Sequence, residues 1–218
     1  SKKGYKPIVL SSTTGSEGKT TTATNIALSL AQNGKSVLLI DADLRKPAVA
    51  KTLGFAATDD EGICGIISGD KTLKESIKYS EKYQLFVLVS GKAVDNSSEI
   101  LSSPKMEEII ESAKKEFDFV IIDTAPCGIL ADAAIVAGYA DTSVIVIKQD
   151  CAPARKIKRA IDNIENSGIE ILGCIYNNAE RSFGKPSFYG KKSSYDYGYG
   201  YSYGGSSVNS KHNDKQSR

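Results

Sequence analysis

Between Pro7 and Asn177 the chain alternates short runs that are apolar almost throughout with longer stretches in which apolar positions recur every three or four residues. The runs "PIVLSS" (7–12), "SVLLID" (36–41), "LFVLVS" (85–90), "FVIID" (119–123), "SVIVIK" (143–148) and "EILGCIYN" (170–177) predict six strands. Helical spacing fills the gaps at 19–32, 72–78, 104–115, 131–138 and 153–166. A strand covered on both faces has no polar side to show, so apolar runs separated by helices predict an α/β fold with a mainly parallel, doubly wound sheet. In such a sheet a ligand sits beyond the carboxyl ends of the strands, so chemistry is expected in the residues that follow each run.

After residue 180 the pattern stops. Residues 181–218 contain no Leu or Ile and one Val, too little apolar surface to offset the entropy of ordering. The chain is therefore expected to divide into a folded body, 1–180, and a disordered Gly/Ser/Tyr-rich tail, 181–218. Charge divides at the same place: seven Lys and Arg against two Asp give the tail +5, which leaves the body −3 within a total of +2. The tail also holds six of the eleven tyrosines, Tyr189, Tyr195, Tyr197, Tyr199, Tyr201 and Tyr203. Basic charge with interleaved aromatics is how single-stranded nucleic acid is held. The near-neutral total and the lack of an RNA-binding signature weigh against that reading, and no nucleic acid is expected.

The remaining bulk properties narrow the class. The longest apolar runs fall far short of the roughly 20 residues that cross a bilayer. Cys64, Cys127, Cys151 and Cys174 are scattered, and His212 is the single histidine, which reads as reduced thiols rather than a disulfide frame or a zinc site. The chain opens on Ser1, as a processed or excised piece of something longer would.

The first strand runs into "TTGSEGKTTTATNIALSL". Gly15 and Gly18 let backbone amides converge, Lys19 brings a cation to terminal phosphates and Thr20 offers a hydroxyl to magnesium, all at the start of a helix. Ser16, Glu17 and Thr21 belong to the same phosphate-binding stretch. The strict loop pattern wants glycine where Thr13 stands. The second strand ends in "LLIDADLRKP", where Asp41 and Asp43 are either metal carboxylates at the loop's mouth or acids of a strand-end turn. The strand "FVIID" ends in Asp123, the acid expected on the metal side of a nucleotide site. Arg45 and Lys46 read equally as phosphate or acceptor contacts and as solvated surface.

Together these residues carry a resemblance. "IDADLRKP" resembles the second Walker motif, A-prime, of the bacterial tyrosine kinases, a family that autophosphorylates a C-terminal tyrosine cluster and controls capsule and exopolysaccharide production. The body from 7 to 180 is similar to the wider MinD and ParA group of P-loop ATPases, whose usual extra lysine is replaced here by Thr14. "DNSSEILSSPKMEEII" also resembles the kinase branch, with Ser97 where proline is usual, and "DTAP" departs from the family at Ala125. The family's Glu-x-x-Arg-x-x-Arg segment, used to pack neighbours into a ring, is not among the six residues before Pro7.

The resemblance implies ATP and magnesium as cofactors. Gly15 to Thr20 and Lys19 would hold the phosphates, Asn177 the adenine, and Thr20, Asp41, Asp43 and Asp123 the metal, with one of the A-prime acids taking the proton of an incoming phenol. It implies the six tail tyrosines as acceptors, filled in trans. It further implies a membrane adaptor or polysaccharide co-polymerase, separate or fused, as activator, a homo-oligomeric ring, a cognate tyrosine phosphatase, polysaccharide-synthesis enzymes as substrates, and a cytoplasmic place at the inner face of the plasma membrane. Each phosphate adds about −1.5 to −2 charge at neutral pH, so three would erase the tail's +5. A MinD-like switch ATPase without kinase activity is the alternative. A eukaryotic-type kinase is excluded, since no H-R-D or D-F-G occurs.

Overall fold

The apolar runs assemble, in a computed structural model that describes residues 4–56, 58 and 61–179, into one seven-stranded sheet. The elements in chain order are β1 (Pro7–Ser12), α1 (Lys19–Gln32), β2 (Val37–Ala42), α2 (Val49–Leu53), α3 (Gly62–Ser68), α4 (Leu73–Ser76), β3 (Lys78–Ser80) and β4 (Leu85–Leu88). They continue with α5 (Ser97–Leu101), α6 (Pro104–Glu116), β5 (Phe119–Thr124), α7 (Asp132–Ala137), β6 (Thr142–Lys148), α8 (Ala154–Glu165) and β7 (Ile171–Asn177). The strands lie in the order β3-β4-β2-β5-β1-β6-β7, and every pairing is parallel except β3 with β4. This is the predicted doubly wound α/β fold.

The period-two alternation of a strand explains why both faces are apolar. Leu38, Ile40, Val120 and Ile122 point into one core with Met106, Ile109, Ile110 and Ala113 of α6. Their neighbours Val37, Leu39 and Ile121 point into the other, against Ala23, Ala27 and Ala31 of α1, four residues apart on one helical face. A third, smaller cluster joins Cys127, Ala133, Ala137, Ile145, Ala160 and Ile164 beneath α7 and α8.

Two local readings change. The helix expected over 72–78 is a single turn, α4, held by a capping box in which Thr72 and Glu75 satisfy each other's backbone amides. Lys78 then enters β3, whose Tyr79 stacks on Phe86 of β4 with ring centroids 4.7 Å apart. The short helices α2, α3 and α5 were not foreseen. The division of the body from a tail at 180, the tail's expected disorder and its six tyrosines concern residues outside those described.

Candidate active site

Parallel β1, β5 and β2 end side by side, and their register places Asp41 of β2 opposite Asp123 of β5, which in turn pairs with Leu10 of β1. The sheet thus delivers two acids to the point where β1 turns into the loop before α1. That loop bends back through left-handed residues at Ser16 (φ 63°) and Gly18 (φ 89°), so the glycine missing at Thr13 is not at a position of positive φ. Gly18 also lies against Asn177: a β-carbon there would stand 2.2 Å from the Asn177 Nδ2.

The loop is fastened by its own side chain. Buried Glu17 accepts from the amides of Thr13 (2.7 Å) and Thr14 (3.2 Å) and from the Thr14 hydroxyl (3.3 Å). Asn177 Nδ2 donates to the Glu17 carbonyl at 2.8 Å, and its Oδ1 accepts from the Asn178 amide at 2.9 Å. Both polar ends of the residue expected against adenine are therefore engaged within the chain. No protein acceptor stands against the amides of Gly15, Ser16 and Gly18 among the described residues. They lead into the first turn of α1, whose amides have no intrahelical partners.

Lys19 is buried and donates to Asp123 Oδ1 at 2.5 Å, with Asp43 Oδ2 at 3.7 Å. Thr20 Oγ1 donates to the other Asp123 oxygen at 2.6 Å. Burial pushes the Asp123 carboxyl above the usual carboxylate range, opposed first by the Lys19 charge and its hydrogen bond. Asp41 is sealed beneath: its carboxylate accepts from the amides of Asp43 (3.3 Å), Ala48 (3.0 Å) and Val49 (2.9 Å). Burial and the neighbouring Asp123 charge push it up to about 7. Asp43 instead lines an open cleft of about 570 Å³, together with Gly15, Lys19, Thr20 and Thr21 on one side and Arg45 and Lys46 on another. Of the expected metal ligands, Thr20, Asp43 and Asp123 come together around the Lys19 ammonium, while Asp41 acts on the backbone below them.

The donor set fits magnesium. Among the described residues no three acidic, Cys or His side chains form a ready-made metal cage. One or two carboxylates with a hydroxyl, completed by substrate phosphates, is the set magnesium takes, and Asp43, Asp123 and Thr20 are hard oxygen donors of that kind.

Arg45 is anchored rather than loose. Its Nε donates to Asp132 Oδ2 at 2.9 Å, Nη1 to the Asp95 carbonyl at 2.9 Å and Nη2 to Ser98 Oγ at 3.4 Å. Asp132 has no exposed surface and also accepts from Ser97 Oγ (2.6 Å) and Ser98 Oγ (2.5 Å). Burial alone would raise its carboxyl, but the bonds from Arg45, Ser97 and Ser98 outweigh it and hold it low. Sequence reasoning missed Asp132, and also Pro126, Ile129 and Leu130, which wall the cleft. Cys127 is a packing residue: its amide donates to the Ser12 carbonyl, its thiol lies 3.3 Å from the same oxygen, and burial raises the thiol.

Fold and loop define a P-loop nucleotide-binding protein, and residues 5–169 match the family model described as AAA domain. The chain is 37% identical over 194 residues to the tyrosine-protein kinase CpsD of Streptococcus agalactiae, covering 87% of this chain and 84% of that one. It superposes on the kinase domain of Escherichia coli tyrosine kinase ETK with a TM-score of 0.78 at 27% identity, covering 91% and 74% of the two chains. At 24% identity and a TM-score of 0.66, the septum site-determining protein MinD of Pyrococcus horikoshii OT3, solved with Mg-ADP, shares the fold over 82% of this chain and 72% of that one. The chain belongs to the bacterial tyrosine-protein kinases.

Proposed function

We propose that this kinase transfers the γ-phosphate of ATP, with magnesium, to the tyrosines at 189, 195, 197, 199, 201 and 203 of a neighbouring copy, and so regulates the synthesis and export of capsular polysaccharide. The observation that carries this is the Lys19 ammonium held between Asp123 and Asp43 at the mouth of a cleft lined by the loop. Lys19 and the unpartnered amides of Gly15, Ser16 and Gly18 are suited to the phosphates, and Thr20, Asp43 and Asp123 to the metal. When bound, magnesium neutralises charge on the transferring phosphoryl group.

A phenol with a pKa of about 10 is a weak nucleophile at neutral pH, so a carboxylate in reach of its proton is required. Asp43 lines the cleft and Asp41 does not, which supports Asp43 as that base. Asp41 then acts as a positioning residue, fixing Asp43 through its amide and the start of α2 through Ala48 and Val49. Arg45 and Lys46, on the rim, would contact the acceptor or a phosphate.

No helix among the described residues is long and apolar enough to cross a membrane. A membrane adaptor, separate or fused, would bring the kinase to the inner face of the plasma membrane. A ring of copies, a cognate phosphatase and polysaccharide-synthesis enzymes as substrates complete the proposal.

The test is mass spectrometry of the full chain after incubation with magnesium ATP, with and without its adaptor. Phosphate is expected on the tail tyrosines and absent from Lys19→Met and Asp43→Asn. ATP hydrolysis with an unmodified tail in the presence of the adaptor would replace this reading with that of a MinD-like switch. Mixing a Lys19→Met chain with the parent and finding phosphate on the former tests transfer in trans.

A further inference from the structure

A second, smaller hollow of about 120 Å³ shares Thr14 and Ile129 with the cleft and is closed by Thr13, Gly128, Lys156 and Arg159. Lys156 and Arg159 lie three residues apart on α8, hence on one face, and both are exposed. Neither forms an ion pair among the described residues, whereas Lys158 beside them holds Asp162 at 3.0 Å. The nearest acid on the loop, Glu17, is occupied by the amides of Thr13 and Thr14 and the Thr14 hydroxyl. The hollow therefore sets two cations without ion-pair partners among the described residues at the border of the cleft proposed to handle phosphate.

An anionic group is what this arrangement takes. A single carboxylate or phosphate fits the volume, and Lys and Arg donors make charge-assisted bonds to either. We propose that Lys156 and Arg159 form an anion subsite beside the phosphoryl-transfer cleft, selecting acceptor peptides in which a carboxylate or an existing phosphate stands next to the tyrosine. This rests on the kinase reading and adds the chemical class of substrate that the site prefers. A phosphate already placed on one tyrosine then favours modification of its neighbour.

The test uses the full chain, magnesium ATP and three single-acceptor peptides in which the tyrosine is flanked by Asp, by phosphotyrosine or by Ser, with product read by mass. The Asp or phosphotyrosine peptide is expected to exceed the Ser peptide in kcat/KM by about two- to fivefold, the order that one rim ion pair gives. In Lys156→Ala/Arg159→Ala that ratio falls to about one. Where turnover is too slow to rank, anisotropy of labelled peptides with Phe in place of the acceptor gives the same order of affinity. Equal use of the three peptides by the parent, or a preference that survives in the double variant, overturns the subsite alone. Absence of phosphate transfer to the peptides and to the chain itself would remove the kinase reading, a separate outcome.

Discussion

Replacing Asp132 by Asn alters one side chain without changing its shape, and the structure gives the size of the effect. Oδ2 accepts from Arg45 Nε and Ser97 Oγ, Oδ1 from Ser98 Oγ, at 2.9, 2.6 and 2.5 Å. An Asn amide with its oxygen toward Arg45 and Ser97 presents its NH2 to Ser98, whose hydroxyl turns to accept, so the three contacts persist as bonds to a neutral group and the charge is what is lost. A hydrogen bond to a buried charge is worth about 1.5–3 kcal/mol, and three are altered. Arg45 retains 30% exposure and recovers water, while Ser97 is buried and does not. The expected loss is about 1–3 kcal/mol at pH 7.

Urea unfolding of parent and variant followed by circular dichroism measures it, and pH supplies the second check. The Asp132 carboxyl is held below its ordinary value in the folded chain. Its contribution is complete above the unfolded pKa near 3.9 and is lost as pH falls through the folded pKa. The gap between parent and variant therefore narrows below about pH 4. A gap under about 0.5 kcal/mol at pH 7, or one that stays constant as pH falls, refutes the account.

Three further outcomes are expected. Lys19→Met, in addition to losing phosphotyrosine by mass spectrometry, leaves Asp123 buried without its cation; without nucleotide it should lose about 2–4 kcal/mol at pH 8, and less as pH falls and the acid, already raised by burial, takes a proton instead. Gly128→Ala sets a β-carbon 2.2 Å from the Thr13 carbonyl oxygen, a backbone clash expected to lower stability by about 1–3 kcal/mol in thermal unfolding and to weaken nucleotide binding measured by calorimetry. Asn177→Ala frees the Glu17 carbonyl and should reduce nucleotide affinity several-fold while costing about 1 kcal/mol of stability.

The central strands were legible because burial on both faces leaves an apolar run that few other structures produce. β3 was not: Lys78, Tyr79 and Ser80 form an edge strand of intermediate exposure, and the preceding turn at Leu73–Ser76 continues the helical pattern into it. The helices α2, α3 and α5 span five to seven residues, too short to show a period. In the site, Lys19 and Thr20 were readable from the loop that leads from β1 into α1, and Asp123 from the polar end of an apolar strand. The roles of Asp41 and Asp43 separated only in three dimensions, where the amides of Ala48 and Val49 cover one and the cleft reaches the other. Asp132 reads in the sequence as an acid opening a helix, and its partners Arg45 and Ser97 lie 87 and 35 residues away, joined to it only by the packing of α5 and α7 beside the A-prime loop.

On the proposed function, the ion pair between Lys19 and Asp123 would also couple nucleotide and metal to each other. An ammonium drawn from Asp123 toward a phosphate would uncover a buried carboxylate whose sheet neighbour is Asp41. Nucleotide alone deepens that excess of negative charge, whereas a divalent cation cancels it. By linkage each ligand would then raise the affinity of the other by one common factor. On the proposed function, an internal counter-ion would thus act as a gatekeeper against metal-free nucleotide.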